Sequence, residues 1–362
     1  MAIVCLDGDI FAAAIIGLYI GYEYPAPPLE NPPSRPSPSS VHDFEYTIVT
    51  VKLGIMAART AAILSPGDMG SGLGRLLRAN LVRVITNLEG RSPRSQELAK
   101  SNGIEDVGSD SNILKSADII ISVLVPSSAR ATAERIITAS KALPRSQQRT
   151  KFYIDANAIS PKTVRSISEL FNGSGIEFID GSIIGGPPKL QQDGMTWYRP
   201  TFALSGARTR ELDLDYVFDI AHVGPDIGQA SALKMSFASL TKGFVAIAIQ
   251  SLGTAAANGL LEALFDQLKK HNPIGLARLQ SLTVMPPKAY RWVGEMEEIS
   301  NTFADEGFDP QLFLGAAETY RWIADDTELG KEIVERREKG KDVEDVCKWI
   351  VKALKENGKK LE

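Results

Sequence analysis

The sequence predicts α/β architecture: a Rossmann-type doubly wound parallel sheet followed by an all-α C-terminal domain. Three observations predict it. Short apolar runs alternate with helical stretches from residue 56 to 224. A glycine-rich turn joins the first of these runs to the first helix. Beyond Gly224 the strand pattern gives way to helical periodicity.

Taken in order, "TAAIL" (60–64) reads as a short buried strand, and Leu73, Leu76 and Leu77 share one face of the helix after it. "LVRVIT" (81–86), "DIIISVLV" (118–125), "KFYIDA" (151–156), "IEFIDGS" (176–182) and "TFALSG" (201–206) follow as strands. Helices are expected at 127–140 and 161–171. After Gly224, "SALKMSFASLTKGFVAIAIQSLGTAAANG" is apolar nearly all round and is expected to be buried. Further helices are expected at 260–270, 276–282, 288–306 and 310–324, giving a helical domain over 225–330. In one of them Tyr290, Trp292, Val293 and Met296 fall together at helical spacing, as core or as a dimer seam. The tail, 331–362, alternates charge with a thin apolar stripe and reads as a solvated terminal helix.

Residues 1–55 stand apart. The apolar run 10–22 is short for a bilayer span, and Asp7 and Asp9 precede it where a signal peptide carries basic residues. The proline-rich run 25–40 precludes helix, so a disordered extension is expected, with a membrane anchor or a misassigned start as alternatives. A formal charge of -4 supplies no basic excess for nucleic acid. Two cysteines, Cys5 and Cys347, imply no disulfide framework, and the three histidines lack metal-ligand spacing, so no metal and a reducing, cytoplasmic setting are expected.

The glycine turn carries the chemistry. "SPGDMG" (65–70) lies between a strand and a helix, the context in which such a turn binds a dinucleotide. Gly67 lets the backbone approach a pyrophosphate, Gly70 permits close helix–strand packing, and the helix N-terminus, through Asp68 and Met69, offers free amides. Ser65 stands where the fingerprint has its first glycine, so its turn is more costly. After the second strand, Arg91, Ser92 and Arg94 form a polar, basic loop suited to a 2′-phosphate, which favours NADP. Glu89 is the competing signal for NAD. At each of these places a structural turn or a solvated loop is the alternative.

From Thr60 to about Glu318 the chain resembles the 6-phosphogluconate dehydrogenase-like, or β-hydroxyacid dehydrogenase, superfamily. It is most similar to a branch with an uncharacterised helical C-terminal domain. Six blocks carry the resemblance in order: "SPGDMGSGLG", "GRSPRS", "SVLVP", "DANAISP", "DGSIIGGPP" and "GQASALKMSFASLTKG". The resemblance implies that Val125 and Pro126 border the nicotinamide ribose and that Asn157 lies near the nicotinamide. It implies that Ser182, Gly185 and Gly186 belong to the substrate loop, that Lys234 is catalytic, and that the C-terminal helices form a homodimer.

A lysine suits that role, because a partly desolvated amine has a lowered pKa and can accept or return the proton of a hydroxyl. Lys242 is the rival on a similar helix face. Two departures from the family pattern make the pocket more apolar: Ile184 replaces the serine before the two glycines, and Phe237 and Ala238 stand where an asparagine is usual. Asn157 serves either as a substrate or nicotinamide ligand or as a cap on the next turn.

The expected activity is an NADP-dependent dehydrogenase or reductase acting on a hydroxy acid or related carbonyl compound. An imine or tailoring reductase is one alternative, and a non-catalytic NADP-binding protein is another.

Overall fold

The computed structural model describes residues 59–361, so the expectations for 1–55 lie outside it. The first strand, β1 (Thr60–Leu64), is followed by helix α1 (Asp68–Ala79), β2 (Arg83–Thr86), α2 (Pro93–Ser101), β3 (Glu105–Asp106), α3 (Asp110–Ser116) and β4 (Ile119–Ser122). Next come α4 (Ala129–Ala142), β5 (Phe152–Asp155), α5 (Pro161–Ser168) and β6 (Glu177–Ile184). A two-stranded hairpin, β7 (Lys189–Leu190) and β8 (Trp197–Tyr198), precedes β9 (Thr201–Ser205) and β10 (Asp219–Gly224).

The main sheet has eight strands in the order β10-β9-β6-β5-β4-β1-β2-β3. The run from β3 to β6 is parallel, while β9 pairs antiparallel with β6 and parallel with β10. The doubly wound sheet therefore gains an antiparallel edge.

The strands are apolar on both faces because both faces are covered. Ala61 and Ile63 of β1 pack with Leu73, Leu76 and Leu77 of α1. Ala62 and Leu64 point the other way, into a cluster with Ile113, Ile136 and Val164. Local signals place the helices: Ser92, Ser109 and Ser160 each cap a helix N-terminus by accepting a backbone N–H. Pro93 and Pro161 occupy the first helical positions, where their missing N–H costs nothing.

The helical domain comprises α6 (Gln229–Ala257), α7 (Leu261–His271), α8 (Pro273–Arg278), α9 (Ala289–Asp305), α10 (Gln311–Asp326) and α11 (Val343–Leu361). Met235, Ile249 and Leu252 of α6 form its core with Trp292, Met296, Tyr320 and Ile350. Of the expected seam, Trp292 and Met296 are core, Val293 packs against it, and Tyr290 is exposed.

Two expectations are corrected here. The long helix α6 is not buried all round: Leu233, Phe237, Leu240 and Ile247 lie exposed, Leu240 at 72%. It is long and apolar enough to cross a membrane, but its other face is protein core. The tail is not simply solvated either, since Val346, Cys347 and Ile350 of α11 are buried against the core. Their spacing of three and four residues forms an apolar stripe, and that stripe is docked.

Candidate active site

The phosphate loop is built as its composition requires. Ser65 adopts φ 66, the left-handed conformation that glycine adopts without strain. The Gly67 amide donates to Ser65 O at 2.8 Å and closes the turn. Gly67 then caps α1 without any side-chain hydrogen bond, and a Cβ added there would meet nothing within 4 Å. That open cradle, with free amides at the start of a 12-residue helix, fits a pyrophosphate. A Cβ at Gly70 would lie 2.6 Å from Ser65 O, so glycine is needed for α1 to approach β1. Met69 packs its side chain on the core, and Asp68 pairs with Arg94 at 2.6 Å across the loop.

At the end of β2, Asn87 donates to Asp110, which also pairs with Arg135 at 2.5 Å. Arg91 is partly buried beside them, and no carboxylate contacts its guanidinium among the described residues. Burial and the Arg135 charge lower its pKa. Glu89 is exposed. The Ser92 hydroxyl accepts from Ser95 N at 3.3 Å, so its first task is capping α2. Val125 and Pro126 follow β4 at the rim, with Val125 exposed and Pro126 close to where a Cβ on Gly294 of α9 would sit.

Two of the expected substrate residues lie beneath the surface. Asn157 is 2% exposed, and its side chain is fully engaged. Its Oδ1 accepts from Leu124 N at 2.5 Å, while its Nδ2 donates to Ser122 and Asp155. The cap of the following helix is Ser160, and Asn157 ties the ends of β4 and β5. Ser182 is likewise buried, with its hydroxyl unpartnered. Period-two alternation turns it inward, onto the face that carries Asp155 and Asp180. Burial, with the Asp180 charge adding to it, raises the Asp155 pKa to about 7.

Asp180 organises the junction with the helical domain. It accepts hydrogen bonds from Gly228 N at 2.9 Å, Ser231 N at 3.1 Å, Ser231 Oγ at 2.7 Å and Ser205 Oγ at 2.9 Å. Burial pushes its pKa up while these donors hold it down. A carboxylate on the sheet thus caps the N-terminus of α6, with its charge at the positive end of the helix dipole. A second tie runs the other way: Glu298 of α9 accepts from Ser160 N at 2.7 Å and Thr163 Oγ1 at 3.0 Å, at the start of α5.

One turn beyond this cap, Lys234 Nζ donates to Ile183 O at 2.6 Å, at the entry to Ile184-Gly185-Gly186. Burial, helped by the Arg291 charge, lowers its pKa to about 8. Gly185 and Gly186 are exposed, but the Gly186 amide already donates to Tyr198 Oη at 3.2 Å. The rival, Lys242, is in direct ionic contact with Glu295 and lies over the Trp292 ring at 5.1 Å. Burial and neighbouring cations lower its proton affinity, and the Glu295 carboxylate opposes them.

Asp180, Tyr198, Glu295, Glu298, Lys288 and Arg291 were not singled out by the sequence. Tyr198 sits on the two-residue hairpin strand β8, which carries no motif. The charged residues of α9 look like a solvated helix face until α6 is packed against it.

Comparison with known proteins identifies both domains. Residues 61–197 match the NAD-binding domain of 6-phosphogluconate dehydrogenase, and residues 255–323 match a domain of unknown function, DUF1932. An uncharacterized 28.5 kDa protein from Methanothermus fervidus is 27% identical over 206 residues, which is 56% of this chain and 74% of that protein. A solved conserved protein described as structurally similar to 3-hydroxyacid dehydrogenases aligns at TM-score 0.53 and 28% identity, covering 74% of this chain and 97% of that one. The 3-hydroxyisobutyrate dehydrogenase of Salmonella typhimurium aligns at TM-score 0.55 and 17% identity, covering 73% and 93%, a likeness of fold. A nicotinamide-dinucleotide domain of the 6-phosphogluconate dehydrogenase type, over residues 61–197, is thus followed in this chain by a DUF1932 domain over residues 255–323.

Proposed function

We propose that the protein is an NADP-dependent oxidoreductase of the β-hydroxyacid dehydrogenase type, with Lys234 as general acid and base. The observation that carries this reading is the Lys234 amine, held 2.6 Å from Ile183 O beside the exposed Gly185-Gly186 turn. Gly67 and the first amides of α1 hold the pyrophosphate, and Val125 and Pro126 border the ribose of the nicotinamide. The cofactor supplies hydride transfer to or from the substrate carbon. Lys234 handles the proton: its neutral amine takes one from a hydroxyl during oxidation, and its ammonium returns one to a carbonyl oxygen during reduction. With a pKa of about 8, both forms are accessible near neutral pH.

The preference for NADP is supported by Arg91, which has no carboxylate partner in the loop after β2, and by the amide Asn87 at the strand end. The exposed stripe on α6 supports a homodimer through the helical domain, because Leu240 and Ile247 need a covering surface.

Nicotinamide fluorescence titrations test the cofactor assignment. NADPH is expected to bind more tightly than NADH, and Arg91→Ala to weaken NADPH about tenfold or more while sparing NADH. A preference for NADH would assign the ribose to Glu89; binding of neither would remove the oxidoreductase reading.

A further inference from the structure

The order of the main sheet reverses at β1: β2 and β3 lie on one side of it, and β4, β5 and β6 on the other. A dinucleotide bound at the carboxyl ends of such a sheet straddles the point of reversal. With its pyrophosphate on the turn after β1, one half lies over the end of β2 and the other over the ends of β4 and β5. The first half then meets the loop at 87–94. The second meets the chain where it leaves β4, at Val123 to Pro126, and where it leaves β5, at Ala156 to Ser160.

These two exits are tied by one side chain. Asn157 Oδ1 accepts from Leu124 N at 2.5 Å, while its Nδ2 donates to Asp155 Oδ1 at 2.7 Å and to Ser122 Oγ at 3.2 Å. Leu124 directly precedes the exposed Val125, so its peptide is the last one tied to β5 before the chain reaches the rim. An amide side chain has one accepting and one donating end, so its direction decides whether the Leu124 N–H is met. Reversed, Nδ2 would confront that N–H and the oxygen would confront the Asp155 carboxyl. Asp155 fixes the direction, because its Oδ1 accepts from both Asn157 N, at 3.0 Å, and Asn157 Nδ2. Asp155 Oδ2 is buried and has no partner among the described residues. A proton on that oxygen, favoured up to about pH 7 by burial and by the Asp180 charge, leaves Oδ1 free to accept. The far end of the connector is held too: Ala158 packs against the helical core, and Glu298 of α9 accepts from Ser160 N. A buried amide carries a desolvation cost that an apolar side chain would avoid. What this one gains is a fixed backbone at Leu124.

We propose that Asn157, oriented by Asp155, is a positioning residue for the cofactor: by holding the Leu124 amide it sets the Val125-Pro126 segment against the nicotinamide half. This rests on the oxidoreductase reading, which puts that half at the end of β4. In this role neither side chain needs to touch the cofactor. The adenosine half, on the other side of the reversal, is held independently.

The test is calorimetry on the full chain with two ligands: NADPH, and 2′,5′-ADP, which carries the adenosine half alone. Asn157→Ala is expected to weaken NADPH about tenfold or more and to leave 2′,5′-ADP within about twofold, and Asp155→Leu to do the same. Asp155→Asn keeps an oxygen at the place of Oδ1 and puts its nitrogen where Oδ2 lacks a partner, so NADPH should stay within about threefold of wild type. Unchanged NADPH affinity in Asn157→Ala overturns the proposal. So does an equal loss for both ligands, which is what a merely loosened or unfolded sheet produces, and so does an Asp155→Asn as weak as Asp155→Leu. Wild type that binds NADPH but not 2′,5′-ADP overturns it as well, because the halves are then not held separately. Wild type that binds no NADPH defeats the oxidoreductase reading itself, and the first titration shows that before any variant is made.

Discussion

The candidate site has two sides, one on the sheet and one on the helical domain, and they are built by different means. The sheet side is backbone: the strained turn at Ser65, the open cradle at Gly67 and the close approach at Gly70 present amides and very little side chain. The helical side is charge: Lys242 in contact with Glu295, with Lys234, Lys288 and Arg291 near enough for their charges to act on Lys242. The first side depends on residues a few positions apart, so local conformation specifies it. The second depends on α6 and α9 meeting, and two carboxylates, the buried Asp180 and the partly buried Glu298, tie the helices to the sheet and its connections. The charged side is therefore tied to the tertiary junction in a way that the glycine turn is not.

That contrast can be broken at the junction with the largest effect. Asp180→Ala leaves three or more buried donors without an acceptor, and the expected loss is about 3–5 kcal/mol of stability, measured by denaturant unfolding. Asp180→Asn should lose less, since one amide oxygen still accepts. A variant as stable as wild type would mean that the cap on α6 is idle.

Next comes the proton-transfer group. On the proposed function, Lys234→Ala should lower kcat about 10²-fold or more while leaving NADPH affinity unchanged, because the amine bonds to Ile183 O and not to the glycine turn at 65–70. Retained turnover would pass the role to Lys242.

The smaller effects sharpen the comparison on the sheet side. Gly70→Ala forces a methyl group onto Ser65 O and should cost about 1–3 kcal/mol with weaker NADPH binding. Ser65→Gly relieves a left-handed serine and should leave stability equal or raise it by up to about 1 kcal/mol. If both substitutions were neutral, the loop would be looser than its geometry indicates.

The same division explains what could be read in advance. Strands β1, β2, β4, β5, β6 and β9 announced themselves as short apolar runs between turns, and the glycine turn was legible down to the strain at Ser65. Strand β10, "DIAHVG", was not, because an edge strand with half-exposed positions carries no apolar run. The exposed pair Glu105–Asp106 in β3 offers no signal either. The burial of Asn157 and Ser182 was not legible in their motifs, since the direction of a side chain is set by the pleat and by the packing around it. Arg291 and Lys288 escaped notice because charges spaced three and four apart normally face water.

The most direct test of the central claim needs no substrate. The Lys234 amine can be followed by NMR in protein carrying isotope-labelled lysines, titrated from pH 6 to 11 alongside Lys234→Ala. A lowered pKa means that the ammonium loses its proton as pH rises through about 8, where ordinary lysines remain charged. Oxidation should accordingly gain rate, and reduction lose it, over that interval. The account predicts a resonance titrating near 8 that is missing from Lys234→Ala. A Lys234 that titrates with the exposed lysines above pH 10 would contradict it.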